Sequence, residues 1–140
     1  GTVRFNDTAG SMAKDSVYNA ASVIRNITDK DIKDYDIHVN VIGGGKIDGP
    51  SAGAAITLCI ISSLLKKPIR QDIAVTGEIS LQGKIKPVGG IFEKIYGAKR
   101  MGINLVLIPK DNEKEIPVNN SGIEVKAIES INELMEIAFN

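Results

Sequence analysis

The chain has 140 residues, 43% apolar and 24% charged, a size and balance that suit one domain with a buried core. Seventeen basic and seventeen acidic residues leave no formal net charge, so composition gives no support for a nucleic-acid partner. One cysteine excludes an internal disulfide, and no apolar run reaches the roughly 20 residues of a membrane span.

Taken in chain order, residues 12–28 carry Val17, Ala20, Ala21 and Ile24 at helical spacing and are predicted to form one helix. Residues 35–42 alternate Ile37, Val39 and Val41 against Asp36, His38 and Asn40, the pattern of a half-buried strand. Three glycines, 43–45, connect it to the most informative stretch, DGPSAG at 48–53. Residues 52–65 contain no charge and are too few for a membrane span, so they read as a helix buried on most sides. Cys59 lies within it and is expected to be a small core residue. Pro50 suits a helix start, where its missing N–H has no partner to lose. Ser51 then falls in the first turn, where free N–H groups and the positive dipole end favour a developing negative charge. A hydroxyl there suits a nucleophile. It equally suits a small residue near a cap.

Residues 72–78 and 84–88 are strand-like, with a turn expected at Gln82-Gly83. After Gly89-Gly90, residues 91–101 place Ile91, Ile95 and Ala98 on one helix face. Lys94 projects along that same face, whereas Glu93 and Arg100 share another. A lysine on a buried face loses hydration, and its pKa falls from about 10.4. A fall of about three units needs roughly 4 kcal/mol of differential stabilisation. The neutral amine can then accept a proton from a serine hydroxyl. The alternative is a lysine whose stem lies on apolar surface and whose head reaches water. Residues 104–108 read as a continuous apolar strand ending at Pro109, and 110–121 as a polar, exposed loop. A further strand is expected over 122–128, and Ser130 with Glu133 has capping-box spacing before a final helix. The sum is one mixed domain of the α+β class, with several short strands and about four helices.

Rival motifs are weak. Residues 44–51 match a phosphate-binding loop, but Pro50 stands where the lysine that grips phosphate belongs and removes a cradling N–H. Ser11 with Lys14 and Ser63 with Lys66 have Ser-x-x-Lys spacing, without the partner motifs that penicillin-binding chemistry needs. His38, the only histidine, could complete a triad with Ser51 and Asp48, could support the site from behind its reacting groups, or could simply be exposed. No grouping of His, Cys and carboxylates has metal-ligand spacing.

Three linked motifs carry a resemblance: DGPSAG at 48–53, TGEISLQGKIKPVGGIFEK at 76–94 and GINLVLIPKDN at 102–112. Together with the segments 10–26 and 38–41, they make most of the chain resemble the proteolytic domain of Lon proteases. The resemblance implies a ribosomal protein S5 domain 2-like fold and a serine endopeptidase in which Ser51 is the nucleophile and Lys94 its base. It implies that Thr76 hydrogen-bonds near the lysine amine. Backbone N–H groups near Ser51 and Ala52 are expected to hold the oxyanion, and Asp48 either to shape the loop or to influence the lysine's charge. Val75 stands where many members of that family have methionine, and the loop before Asp48 is one residue shorter. The alternative is a proteolytically idle assembly or substrate-presenting domain of the same fold.

The resemblance further implies protein or peptide substrates and a homo-oligomer, a hexameric ring, in a longer parent protein. ATP and magnesium would belong to an upstream ATPase module, with no cofactor in residues 1–140. No nucleic-acid or membrane contact is expected of the domain. A start without methionine at Gly1 reads as an excised domain, and the lack of a signal peptide or span points to the cytoplasm, leaving open an anchor elsewhere.

Overall fold

Five consecutive apolar residues, Leu105–Pro109, leave a strand no polar face to offer water, and all five are buried. The computed structural model describes residues 2–5, 11–39, 50–118 and 122–139, with the backbone alone for 11–14. In chain order these form β1 (Val3–Phe5), α1 (Ser11–Asn19), α2 (Ala21–Thr28), a 3-10 turn (Ile32–Asp34) and β2 (Ile37–Val39). A second 3-10 turn (Pro50–Ala52) leads into α3 (Gly53–Leu65), then β3 (Ile73–Val75), β4 (Glu78–Ile79) and β5 (Ile85–Lys86). The rest is α4 (Ile91–Arg100), β6 (Leu105–Pro109), a 3-10 segment (Lys110–Glu115), β7 (Glu124–Ile128) and α5 (Ile131–Ala138).

β6 is the centre of a parallel sheet, flanked by β3 and β7 in the registers Ile73 to Leu105 and Leu105 to Glu124. Its side chains alternate between two apolar cores. Leu105 and Leu107 join Val23, Ile24, Ile61 and Leu134 on one side, so α2, α3 and α5 cover that face. Val106 and Ile108 join Ile91, Ile95 and Ala98 on the other, beneath α4. Full burial of each such side chain contributes about 1.5–3 kcal/mol. β1 and β2 form a separate parallel pair, and β4 and β5 an antiparallel hairpin. The hairpin turns through Gly83 (φ +84), whose N–H donates to the Ser80 carbonyl at 3.0 Å, as the turn at Gln82-Gly83 requires.

This is the expected mixed α/β domain, with local differences. The helix predicted over 12–28 is interrupted at Ala20, whose N–H is shared between the Ser16 and Val17 carbonyls at 3.1 and 3.2 Å. The described residues therefore hold five α-helices rather than about four. β1 went unread because three residues are too short to show a period. Cys59 is exposed, not core: with Ile56 and Ser63 it lies on the α3 stripe that the sheet does not cover. The polar stretch after β6 is a 3-10 segment over Lys110–Glu115, and Asn112 within it is 4% exposed. Ser130 caps α5 as its spacing predicts, its Oγ accepting from the Glu133 N–H at 3.2 Å. The connection at 43–45 lies outside the described residues.

Between β3 and β4 the chain passes close under the β5 side of the hairpin at Gly77. A Cβ at this position would sit 2.6 Å from Ile85 Cγ2, well inside contact distance, with φ at +157. Gly77→Ala is expected to lose about 1–3 kcal/mol of stability through this overpacking. Urea unfolding measures it as a lower midpoint at unchanged slope. An unmoved midpoint would mean that Ile85 gives way freely.

Candidate active site

Thr76 follows the last residue of β3 and keeps the sheet's order: its N–H donates to the Leu107 carbonyl at 3.1 Å. Its β-branched side chain is 7% exposed and restricted at χ1, which limits the directions its hydroxyl can take. That hydroxyl oxygen accepts a hydrogen bond from Lys94 Nζ at 3.0 Å. The next residue, Gly77, donates its N–H to the Ser51 carbonyl at 2.9 Å, and its carbonyl accepts from the Ala54 N–H at 3.0 Å. The dipeptide Thr76-Gly77 therefore touches Lys94 with a side chain and the Ser51 turn with its backbone.

Ser51 is half-buried within the 3-10 turn Pro50–Ala52, which continues directly into α3. The first turn is thus 3-10 rather than the α-turn expected from Pro50. α1 packs against it, bringing buried Ser16 beside Gly53. Ala52 is also half-buried, with φ −88 and ψ −1.

Lys94 sits on α4 between the buried Ile91 and Ile95 turns, at the edge of the second core. Partial burial holds its pKa below the ordinary lysine value, because the charged ammonium loses hydration there. Among the described residues no carboxylate forms an ion pair with it to offset that desolvation. An amine so placed is easier to deprotonate than one in water, and the neutral form can take a proton from a hydroxyl.

The other residues singled out from sequence lie elsewhere. Asp48 and most of the phosphate-loop pattern 44–51 fall outside the described residues. His38 is exposed on β2, in register with Arg4, and among the described residues no hydrogen bond or ion pair joins it to Ser51. Ser63 is exposed, and Lys66 is the C-cap of α3 in a left-handed conformation (φ 55), which fits helix termination. The side chains of Ser11 and Lys14 are outside the description. Among the described residues no cluster of His, Cys, Asp or Glu could hold a metal ion, and no helix is long and apolar enough to cross a membrane. Two cavities of about 710 and 840 Å³ lie away from this cluster, one between β1 and α2, the other between β2 and α3. Neither is lined by Ser51, Thr76 or Lys94.

The domain is mixed α/β, built on a central parallel strand, with a serine turn and a half-buried lysine both hydrogen-bonded to one dipeptide. Residues 1–140 match the Lon protease (S16) C-terminal proteolytic domain, and the chain belongs to that family. It is 46% identical over 126 residues to Lon protease 2 of Bacillus subtilis, covering 90% of this chain and 23% of that protein. It is 42% identical over 149 residues to the Lon protease of Haemophilus influenzae, covering 99% of this chain and 19% of that protein. The Archaeal Lon protease of Pyrococcus abyssi is 38% identical over 133 residues, 92% of this chain and 13% of that protein. The chain thus spans less than a quarter of the length of these relatives.

The state of the Lys94 amine can be measured directly. Competitive acylation over a pH series, read at Lys94 by mass spectrometry, is expected to give a half-reaction point below the free lysine value of about 10.4. A point at or above that value would contradict the burial of this amine.

Proposed function

We propose that this domain hydrolyses peptide bonds, with Ser51 as nucleophile and Lys94 as general base. The observation that supports this most strongly is the pair of contacts of Thr76-Gly77, the Thr76 hydroxyl with Lys94 Nζ and the Gly77 N–H with the Ser51 carbonyl. Lys94, as the neutral amine, takes the Ser51 hydroxyl proton while Oγ bonds to the substrate carbonyl carbon. Backbone N–H groups of Ser51 and Ala52, in the turn that opens α3, stabilise the resulting oxyanion. The Lys94 ammonium then gives its proton to the departing amine, and the C–N bond breaks to leave an acyl ester on Ser51. Lys94 next accepts a proton from water as that water attacks the ester, and collapse releases the acid while the Lys94 ammonium returns its proton to Ser51 Oγ. Thr76 Oγ1 holds the amine in line throughout. Asp48, in the DGPSAG motif, has the part either of shaping the approach to Ser51 or of influencing the charge of Lys94.

The family match and the short coverage of its relatives support a wider reading. The domain is the proteolytic module of a longer protease that unfolds protein substrates with ATP and assembles as a homo-oligomeric ring. Nucleotide and magnesium would be held by another part of that protein, in the cytoplasm. This chain supplies the peptide-bond chemistry, and its lack of net charge gives no support for a nucleic-acid partner.

Ser51→Ala in the full-length protein should abolish casein hydrolysis while circular dichroism stays unchanged, and retained hydrolysis would discard the dyad. Lys94→Arg should be equally inactive, because guanidinium keeps its proton throughout the working pH range. Wild-type activity should rise with pH through an apparent pKa below that of free lysine, since the base works only when neutral. An inactive wild-type ring with normal assembly would instead favour an idle assembly domain.

Thr76→Val retains the β-branched shape and removes only the oxygen that Lys94 Nζ bonds. Turnover should fall roughly tenfold to a hundredfold, at about 1.4 kcal/mol per factor of ten. The melting temperature should change little. Unaltered turnover would make Thr76 a packing residue.

A further inference from the structure

Lys94 depends on a turn that has little packing of its own. Pro87, Gly89 and Gly90 are all exposed, and α4 begins without a side-chain cap. Gly90 takes the N-cap position in a left-handed conformation (φ 70, ψ 29) that favours glycine, and its carbonyl accepts the Lys94 N–H at 3.0 Å. Besides the packing of Val88 and Ile91 on the second core, a side chain from the 3-10 segment after β6 holds this turn. Asn112 Nδ2 donates to the Val88 carbonyl at 2.9 Å, and Asn112 Oδ1 accepts from the Val88 N–H at 3.0 Å. A neighbouring strand makes the same double bond to a residue it pairs with, and here one amide side chain replaces the strand. The Glu115 carboxylate accepts the second Nδ2 proton, so the buried amide has a partner for each donor.

The connection is short. Asn112 lies three residues past β6, and Val88 lies two residues before the carbonyl that Lys94 N–H reaches. β6 also holds Thr76, through the Leu107 carbonyl. One strand and its 3-10 extension therefore fix both ends of the Lys94–Thr76 hydrogen bond. We propose that Asn112 is a positioning residue for Lys94: its clamp on Val88 sets the start of α4 and thereby holds the Lys94 amine against Thr76 Oγ1. The consequence for catalysis rests on the Ser51–Lys94 reading, but the consequence for the amine does not.

Asn112→Asp keeps the side-chain shape and the acceptor for the Val88 N–H. It places a carboxylate oxygen against the Val88 carbonyl, where the donor had been, and beside Glu115. In the full-length protein kcat is expected to fall roughly tenfold to a hundredfold, the scale of a displaced catalytic group, with KM nearly unchanged. The Lys94 acylation curve should move up in pH as the loosened amine meets water. Glu115→Gln, which leaves both Val88 bonds in place, should keep the wild-type kcat and acylation curve. If Asn112→Asp does not fold, Asn112→Ala carries the same two readouts. An unmoved Lys94 curve in the folded variant overturns the proposal, whether kcat is normal or falls only in step with melting temperature. Because acylation is read without proteolysis, turnover by Ser51→Ala or Lys94→Arg would sink the dyad and leave the clamp to be judged on the curve.

Discussion

Two backbone hydrogen bonds tie the structure together at its most consequential point, from Gly77 N–H to the Ser51 carbonyl and from the Ala54 N–H to the Gly77 carbonyl. They join the start of an apolar helix to the segment just past the end of β3, elements that share no local sequence. The join is close because Gly77 has no side chain, leaving room for Ile85 on one side and Ala54 on the other. Bonds of this kind are worth only about 0.5–1.5 kcal/mol each. Their larger consequence is geometric, since the residue before them presents the hydroxyl that Lys94 meets.

The sheet supplies the rigidity behind that geometry. β6 has apolar residues on both faces and so cannot shift by one residue without exchanging the contents of two cores. Through Leu107 it holds Thr76, and through Asn112 just beyond its end it holds the approach to α4. A site mounted this way does not rely on the packing of exposed loops.

Lys94 is where stability and chemistry pull apart. Its ammonium is partly desolvated and has no carboxylate partner among the described residues, and Thr76 offers it a neutral oxygen that orients without adding charge. In the pH range between its folded and its unfolded pKa, the unfolded chain binds the extra proton, so stability rises with pH there. The apolar contacts of Ile91, Ile95, Val106 and Ile108 offset what this residue costs.

The sequence by itself determined the class of fold, the apolar strand 104–108, the inward face of α4 and the cap at Ser130, because each is written in local periodicity or spacing. The three ordered motifs also marked Ser51, Thr76 and Lys94 as a set, though their resemblance to a family carried that information and their spacing did not. Tertiary structure alone decided how those residues approach one another, since a strand end, a helix start and a helix face converge only once β6 has two covered faces. It alone exposed Cys59, because an unbroken apolar run does not say which stripe of a helix lies uncovered. It alone buried Asn112 as well. A polar residue in a polar stretch looks solvated, and only a backbone N–H and carbonyl arriving from 24 residues away give its amide a reason to leave water.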